Sequence, residues 1–215
     1  MFEVTDRLYV GSLDDLRNFL FLENPEDFYI LYCAKDPCHK NLVGYEGKSC
    51  PKDHPEYLVA RRGNQMALNM VDAPSPKFFS KEMITAGLDF MEEGYNKGLK
   101  VLVTCNQGVS RSPSMAFLFM ATRLKELFEY FGDSIRMFKQ LYPNYMPGDG
   151  IYAHMLENWD WYMSYSDVKF NPAEDDICPY CGCKELDYDV LHYDDGAIHD
   201  IIDCPKCKKR LWEED

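Results

Sequence analysis

In "KVLVTCNQGVSRSPSMAF" a cysteine, Cys105, ends an apolar, β-branched run. Five residues separate it from Arg111, and Ser112-Pro113 and an apolar segment follow. Each residue type there suits a phosphate. Gly108 relieves crowding in a tight loop. The backbone N–H groups of Asn106, Gln107, Gly108, Val109, Ser110 and Arg111 can line an anion cradle, helped by the N-terminus of a following helix. Arg111 brings a planar fork that grips two phosphate oxygens. The same positive field favours the thiolate form of Cys105, which can attack phosphorus and form a thiophosphate intermediate. Ser112 can donate a hydrogen bond to the sulfur when it leaves. Pro113 fits the first position of a helix. Cys-x5-Arg alone is a weak pattern; the strand–cysteine–glycine–arginine–helix order makes it specific.

Cleaving a phosphate ester also needs a proton for the leaving oxygen. Asp72 opens the Pro-rich stretch "VDAPSP" after an apolar run and precedes Cys105 by 33 residues. It is the candidate general acid, and then the base that activates water. An Asp before Ala-Pro also suits a turn with no catalytic role. Asp89 sits in an amphipathic pattern and is a poor rival, whereas Asp36 lies in a long loop and stays open as a second candidate.

The elements that must carry these groups are legible from hydrophobic periodicity. "RLYVGSLDDL" reads as a short strand, a turn and a helix from about Leu13 capped by Ser12. "FYILYCA" (28–34) reads as a buried strand and "MALNMV" (66–71) as another. Apolar residues at Phe79, Met83, Ala86, Phe90 and Met91 give helical spacing. "MAFLFMATRL" is apolar nearly all round and predicts a buried helix, and further helices are expected over 132–142 and 151–165. Strands alternating with helices predict an α/β fold, with a mostly parallel central sheet flanked by helices. Residues 35–64 read as a long surface excursion. Within it Arg61 and Arg62 could line the site's entrance or form a solvated basic turn, and Lys52-Asp53-His54 could brace the site.

Nine cysteines are present, five of them in the last forty residues. Cys178/Cys181 and Cys204/Cys207 form two Cys-x2-Cys knuckles separated by 22 residues. That spacing suits a four-thiolate structural Zn2+ site. Between the knuckles, two strands are expected around an Asp-Gly turn. Knuckle, hairpin, knuckle resembles a zinc ribbon. A module this small has little core, so the metal would supply much of its folding energy. The expected organisation is a catalytic domain over 1–165, a linker over 166–176 and a zinc-ribbon-like module over 177–215.

The composition is globular: 46% hydrophobic, with a formal net charge of −13. From Asn171 on, five Lys/Arg face thirteen Asp/Glu. That acidity opposes broad binding to nucleic acid or anionic membrane. It points the tail toward stability or a protein partner. No basic, apolar leader opens the chain, and "MAFLFMA" is far too short to span a bilayer, so a cytoplasmic protein is expected.

"VLVTCNQGVSRSPS" resembles the signature of the dual-specificity branch of the cysteine-dependent protein phosphatases. "RLYVGSLDDL" resembles that family's opening strand and turn, and "NMVDAPSP" its general-acid loop. "PKDHPEYLVARRGN" and "YPNYMPGDGIY" are similar to stretches of bacterial and bacteriophage members, which would place the protein in a host cytoplasm if it is of phage origin. The resemblance spans about residues 5–162. It implies a phosphomonoester hydrolase acting on phosphotyrosine or phosphoserine/threonine proteins, with no cofactor needed for catalysis. One departure is Thr104, where the family usually has His. A Thr hydroxyl can hydrogen-bond the loop but carries no charge. Two alternatives follow: a phosphopeptide-binding adaptor with impaired turnover, and an RNA 5′-phosphatase or other non-protein phosphatase.

Overall fold

Alternation along one strand organises the first of two compact units, Met1–Met163 and Ser164–Asp215. The computed structural model describes residues 1–21, 24, 27–165, 184–192, 198–205 and 210–213. In order, the first unit contains β1 (Phe2–Thr5), β2 (Leu8–Ser12), α1 (Leu13–Leu20), β3 (Phe28–Tyr32), α2 (Lys40–Val43), β4 (Val59–Arg62) and β5 (Gln65–Leu68). Then follow α3 (Lys81–Asn96), β6 (Lys100–Cys105), α4 (Arg111–Thr122), α5 (Phe131–Leu141), α6 (Asp149–Glu157) and most of α7 (Trp159–Tyr165), whose last two residues fall in the second unit. On β6, Val101, Val103 and Cys105 face a large core shared with α3 and α4, whereas Leu102 joins Leu16, Phe28 and Ile30 on the other face. This is the period-2 pattern of a strand with both faces covered.

The sheet order is β1-β2-β6-β3-β5-β4. The four inner strands run parallel, and each edge strand pairs antiparallel with its neighbour. The sheet is therefore mixed, parallel across its four inner strands and antiparallel at both edges. The parallel strands end together, at Ser12, Cys105, Tyr32 and Leu68. Loops leaving that carboxyl edge meet there, the place where open α/β sheets form sites.

All twelve residues of α4 are buried, as its unbroken apolar run predicts. Pro113 is its third residue, not its first. It still lies in the first turn, where a missing N–H costs no helical bond. Ser12 caps α1 reciprocally with Asp15. The expected helix over 151–165 is two helices, separated at Asn158, whose side chain donates to the His154 carbonyl at 2.7 Å.

The excursion over 35–64 carries more structure than a loop. An irregular helical turn (Lys35–His39) leads into α2, and β4 returns along β5. His39, fully buried, contacts the Glu56 carbonyl through Nε2 at 2.8 Å, and His54 Nδ1 accepts from the Glu56 N–H at 3.1 Å. Two of this stretch's histidines thus brace the segment. Arg61 and Arg62 do not line the site. Arg61 makes a bidentate pair with Glu93 on α3, and Arg62 pairs with Glu56. The Arg61 guanidinium, with Lys97 and Tyr29, holds the Glu93 carboxyl down at about 2. Asp89 pairs with Arg123.

A buried histidine gives the first unit a pH dependence. His154 on α6 lies 2.8 Å from the Tyr162 hydroxyl and packs on Phe79. Burial, reinforced by Lys81, pushes its pKa down to about 4, while the Pro76 carbonyl pulls the other way. An unfolded His titrates near 6.5. Between those values the unfolded chain binds a proton that the folded one refuses, so stability falls as pH drops from about 6.5 to about 4. The slope from one such proton is at most about 1.4 kcal/mol per pH unit. Urea melts of His154→Gln should show a shallower loss between pH 7 and 5 than the parent protein; an identical loss would assign the dependence elsewhere.

In the second unit β7 (Asp187–His192) pairs antiparallel with β8 (Ile198–Asp203), Asp187 opposite Asp203, and β9 (Arg210–Glu213) adds to the other side of β8. The expected strand pair is present, with a third strand that periodicity missed. Cys204 follows β8 and is fully buried. Cys178, Cys181 and Cys207, and the turn between β7 and β8, lie outside the described residues. Among the described residues no three His, Cys, Asp or Glu side chains are grouped to hold a metal. No helix among them is long and apolar enough to cross a membrane.

Candidate active site

Strand β6 delivers Cys105 to the carboxyl edge, where the residue is only 2% exposed. The chain then turns through residues 106–110 into α4. Gly108 takes φ +73, and a Cβ there would come within 2.7 Å of the Gly11 carbonyl carbon and the Ser12 nitrogen. Both the left-handed backbone and the close approach demand glycine. The turn is held from outside as well. Tyr142 donates its hydroxyl to the Gly108 carbonyl at 2.9 Å, and the Met146 N–H donates to the Val109 carbonyl at 2.8 Å. Asn106 and Gln107 stay exposed on the rim, whereas Gly108 and Ser110 are buried.

Two donors reach the Cys105 sulfur. The Gly108 N–H lies 3.3 Å away and the Ser112 hydroxyl 3.2 Å away. The Ser112 oxygen is equally 3.2 Å from the Gly11 carbonyl. A hydroxyl has one proton, so it can turn to the sulfur when charge gathers there. Two other thiols sit close by. Burial pushes Cys33 well up and Cys38 up to about 12, so both stay neutral near pH 7. Cys105 stands at the mouth of the loop, where the donors converge.

Arg111 opens α4 and is nearly buried. Its Nη1 donates to the Met70 carbonyl at 3.1 Å, which aims the guanidinium along the loop. Among the described residues its Nε has no hydrogen-bond partner, and it lies 3.7 Å from Asp72 Oδ2. A buried guanidinium donor without an acceptor is costly. An anion seated in the loop would relieve that cost.

Asp72 stands across the loop, its side chain 45% exposed. Ser110 links it to the rest of the site: its hydroxyl accepts from the Gly148 N–H at 3.0 Å and lies 3.4 Å from Asp72 Oδ1. Thr104 is fully buried and projects to the face opposite Cys105, toward α1, since neighbours on a strand alternate. Its hydroxyl lies 3.5 Å from the Cys105 carbonyl, at the limit of a hydrogen bond. Asp36, the other acid held open, is exposed and lies 3.8 Å from Lys35.

The structure thus gathers Cys105, Gly108, Ser110, Arg111, Ser112 and Asp72 around one loop. The supporting groups Gly11, Tyr142 and Gly148 were not singled out from sequence. Only "YPNYMPGDG", noted for its resemblance, carried a signal for the last two.

The fold has known counterparts. No protein-family model matches the chain, and no curated protein matches it in sequence. Among solved structures, DUSP15 superposes with a TM-score of 0.54 at 17% identity, covering 80% of this chain and 97% of that one. The chain has the dual-specificity phosphatase fold. A leucine-rich-repeat and phosphatase-domain protein from Entamoeba histolytica shares this phosphatase fold at a TM-score of 0.50 and 14% identity, with 77% and 92% covered. So does a human tyrosine phosphatase-like serine/threonine/tyrosine-interacting protein, at 0.50 and 16%, with 75% and 96% covered.

Proposed function

We propose that the first unit is a cysteine-dependent phosphomonoesterase acting on phosphoproteins. The observation that carries this reading is the pairing of a buried thiol, already approached by an amide and a hydroxyl, with a buried guanidinium whose Nε lacks an acceptor. The dianionic ester seats on the loop amides and Arg111. The Cys105 thiolate attacks phosphorus as the P–O ester bond breaks, and Asp72 gives its proton to the leaving oxygen. Water then attacks the thiophosphate, and the Asp72 carboxylate takes its proton. The S–P bond breaks, phosphate leaves, and Ser112 donates to the returning thiolate.

Asp72→Asn tests the proton. It should lower kcat for phenyl phosphate by about 10² to 10⁴, the range of a general acid. It should do far less to a substrate whose leaving phenol is strongly acidic. Equal losses on both would remove Asp72 from the proton step and bring Asp36 forward.

An adaptor reading competes through one feature. Thr104 puts an uncharged hydroxyl where the family usually has His, and the phosphatase fold also occurs in a protein named as an interacting protein. Turnover of an aryl phosphate decides between them.

We also propose that the second unit holds a structural Zn2+ through Cys178, Cys181, Cys204 and Cys207. The buried Cys204 directly after a paired strand fits such a thiolate. This unit would serve stability or a protein partner. The metal takes no part in the phosphate chemistry.

A further inference from the structure

The glycines at the start of α6 are not there for their backbone angles. Gly148 caps the helix at φ −65, which any residue adopts, and Gly150 is also outside the left-handed region. What they lack is room. A Cβ on Gly150 would collide with the Ala73 carbonyl oxygen and lie 2.9 Å from the nitrogen and the oxygen of Ser75. A Cβ on Gly148 would lie 3.0 Å from Asp72 Oδ1 and 3.5 Å from the Ser110 hydroxyl. By contrast, Gly132 at the start of α5 has nothing within 4 Å of such a Cβ. The helix start therefore meets the Asp72 loop backbone to backbone.

The same loop is fastened on both sides of that contact. Before it, the Met70 carbonyl accepts from Arg111 and from the Lys35 N–H at 2.9 Å. After it, Phe79 packs against His154, four residues further along α6. Residues 70–79 are pinned at three points, and the middle one is the glycine contact beside Asp72.

We propose that Gly148 and Gly150 are positioning residues: they form a backbone stop that sets where Asp72 stands over the phosphate loop. This rests on the phosphatase reading above and deepens it. Gly150 sets the path of Ala73–Ser75, the residues that follow Asp72. Gly148 leaves space for the carboxylate and, through its N–H on Ser110, links the carboxylate to the loop that binds phosphate. Adding one methyl at Gly150 must push Ala73–Ser75 outward, because the atoms it meets are backbone and cannot rotate away. A displacement of about 1 Å at a reacting group can cost about 100-fold in rate. The three atoms nearest such a methyl belong to Ala73 and Ser75, not to the cradle formed by Cys105, Gly108 and Arg111, which is left in place.

The test compares the full-length parent, Gly150→Ala, Gly132→Ala and Asp72→Asn on a series of aryl phosphates with phenols of graded acidity. Inorganic phosphate serves as a competitive inhibitor that reports the cradle alone. Gly150→Ala should lose about 100-fold on phenyl phosphate and progressively less as the phenol becomes more acidic. Its rates should track leaving-group acidity as steeply as those of Asp72→Asn, with phosphate inhibition unchanged. Gly132→Ala should match the parent throughout. Where Gly150→Ala fails to fold, Gly148→Ala carries the same readout, since its Cβ presses on the Asp72 carboxylate itself, 3.0 Å away. Parent-like rates in the folded variant overturn the inference. So does a uniform loss across the series, or weakened phosphate inhibition. A parent protein that hydrolyses none of the series overturns the phosphatase reading itself, which separates the two failures.

Discussion

Cys105→Ser should reduce aryl-phosphate hydrolysis by about 10⁴ or more, the scale on which loss of an activated nucleophile acts. The replacement is nearly isosteric, so the loop should persist. The Gly108 N–H and the Ser112 hydroxyl, at 3.3 and 3.2 Å from the sulfur, can donate to a serine oxygen instead. What changes is chemistry. A hydroxyl stays protonated near neutral pH, and among the described residues the groups that touch residue 105 are an amide and a hydroxyl, beside neutral thiols, with no general base to activate it. The measurement is twofold. Steady-state rates should collapse, and inorganic phosphate should still bind, read by calorimetry. In the parent, a rapid quench during turnover should trap phosphate on Cys105, visible by mass spectrometry, and the serine variant should show none. Undiminished turnover by Cys105→Ser would remove the nucleophile assignment altogether.

Arg111→Lys should lower kcat/KM by about 10² to 10³, as for deletion of one aimed donor at developing charge. The charge survives the substitution, so charge alone does not carry the prediction. Geometry does. Arg111 spends Nη1 on the Met70 carbonyl at 3.1 Å and still has donors left for a phosphate. An ammonium on a flexible stem cannot hold Met70 and present a fixed planar edge at once. Losing the Met70 bond would also release the Asp72 loop at one of its fastening points. The leaving-group series should therefore show a loss of binding and of proton transfer together, unlike Asp72→Asn. A lysine variant at parent rates would show that the guanidinium fork is not what grips the substrate.

Much of the site can be seen along the chain because its parts are local. Cys105, Gly108, Arg111 and Ser112 lie within eight residues. Strand–turn–helix geometry brings such neighbours onto one loop whatever the rest of the fold does. Ser12 capping α1 and the buried α4 were legible for the same reason. Asp72 was within reach because a Pro-rich turn after an apolar strand is itself a local pattern.

Other features depend on side-chain partners and strand pairings that periodicity does not show. Arg61 and Arg62 read as a basic entrance or a solvated basic turn, and Glu93 and Glu56 claim them instead. Nothing near Arg61 in sequence announces a carboxylate 32 residues away. The helix expected over 151–165 breaks at Asn158, because a side-chain bond to the His154 carbonyl competes with the helical one. The antiparallel edges of the sheet depend on which strands pair, and strand periodicity is the same in either direction.

By itself, the order of residue types determined the chemistry on offer: a thiol, an arginine fork and an amide-rich turn, because these groups act across a few bonds of chain. The tertiary structure decided how they are aimed. The bond from Arg111 to Met70, the Ser110 link between Gly148 and Asp72, and the stop between Gly150 and Ala73 join residues 38 to 77 positions apart. Such contacts arise only when separate strands end at one edge of a sheet, and packing in three dimensions leaves no periodic mark in one.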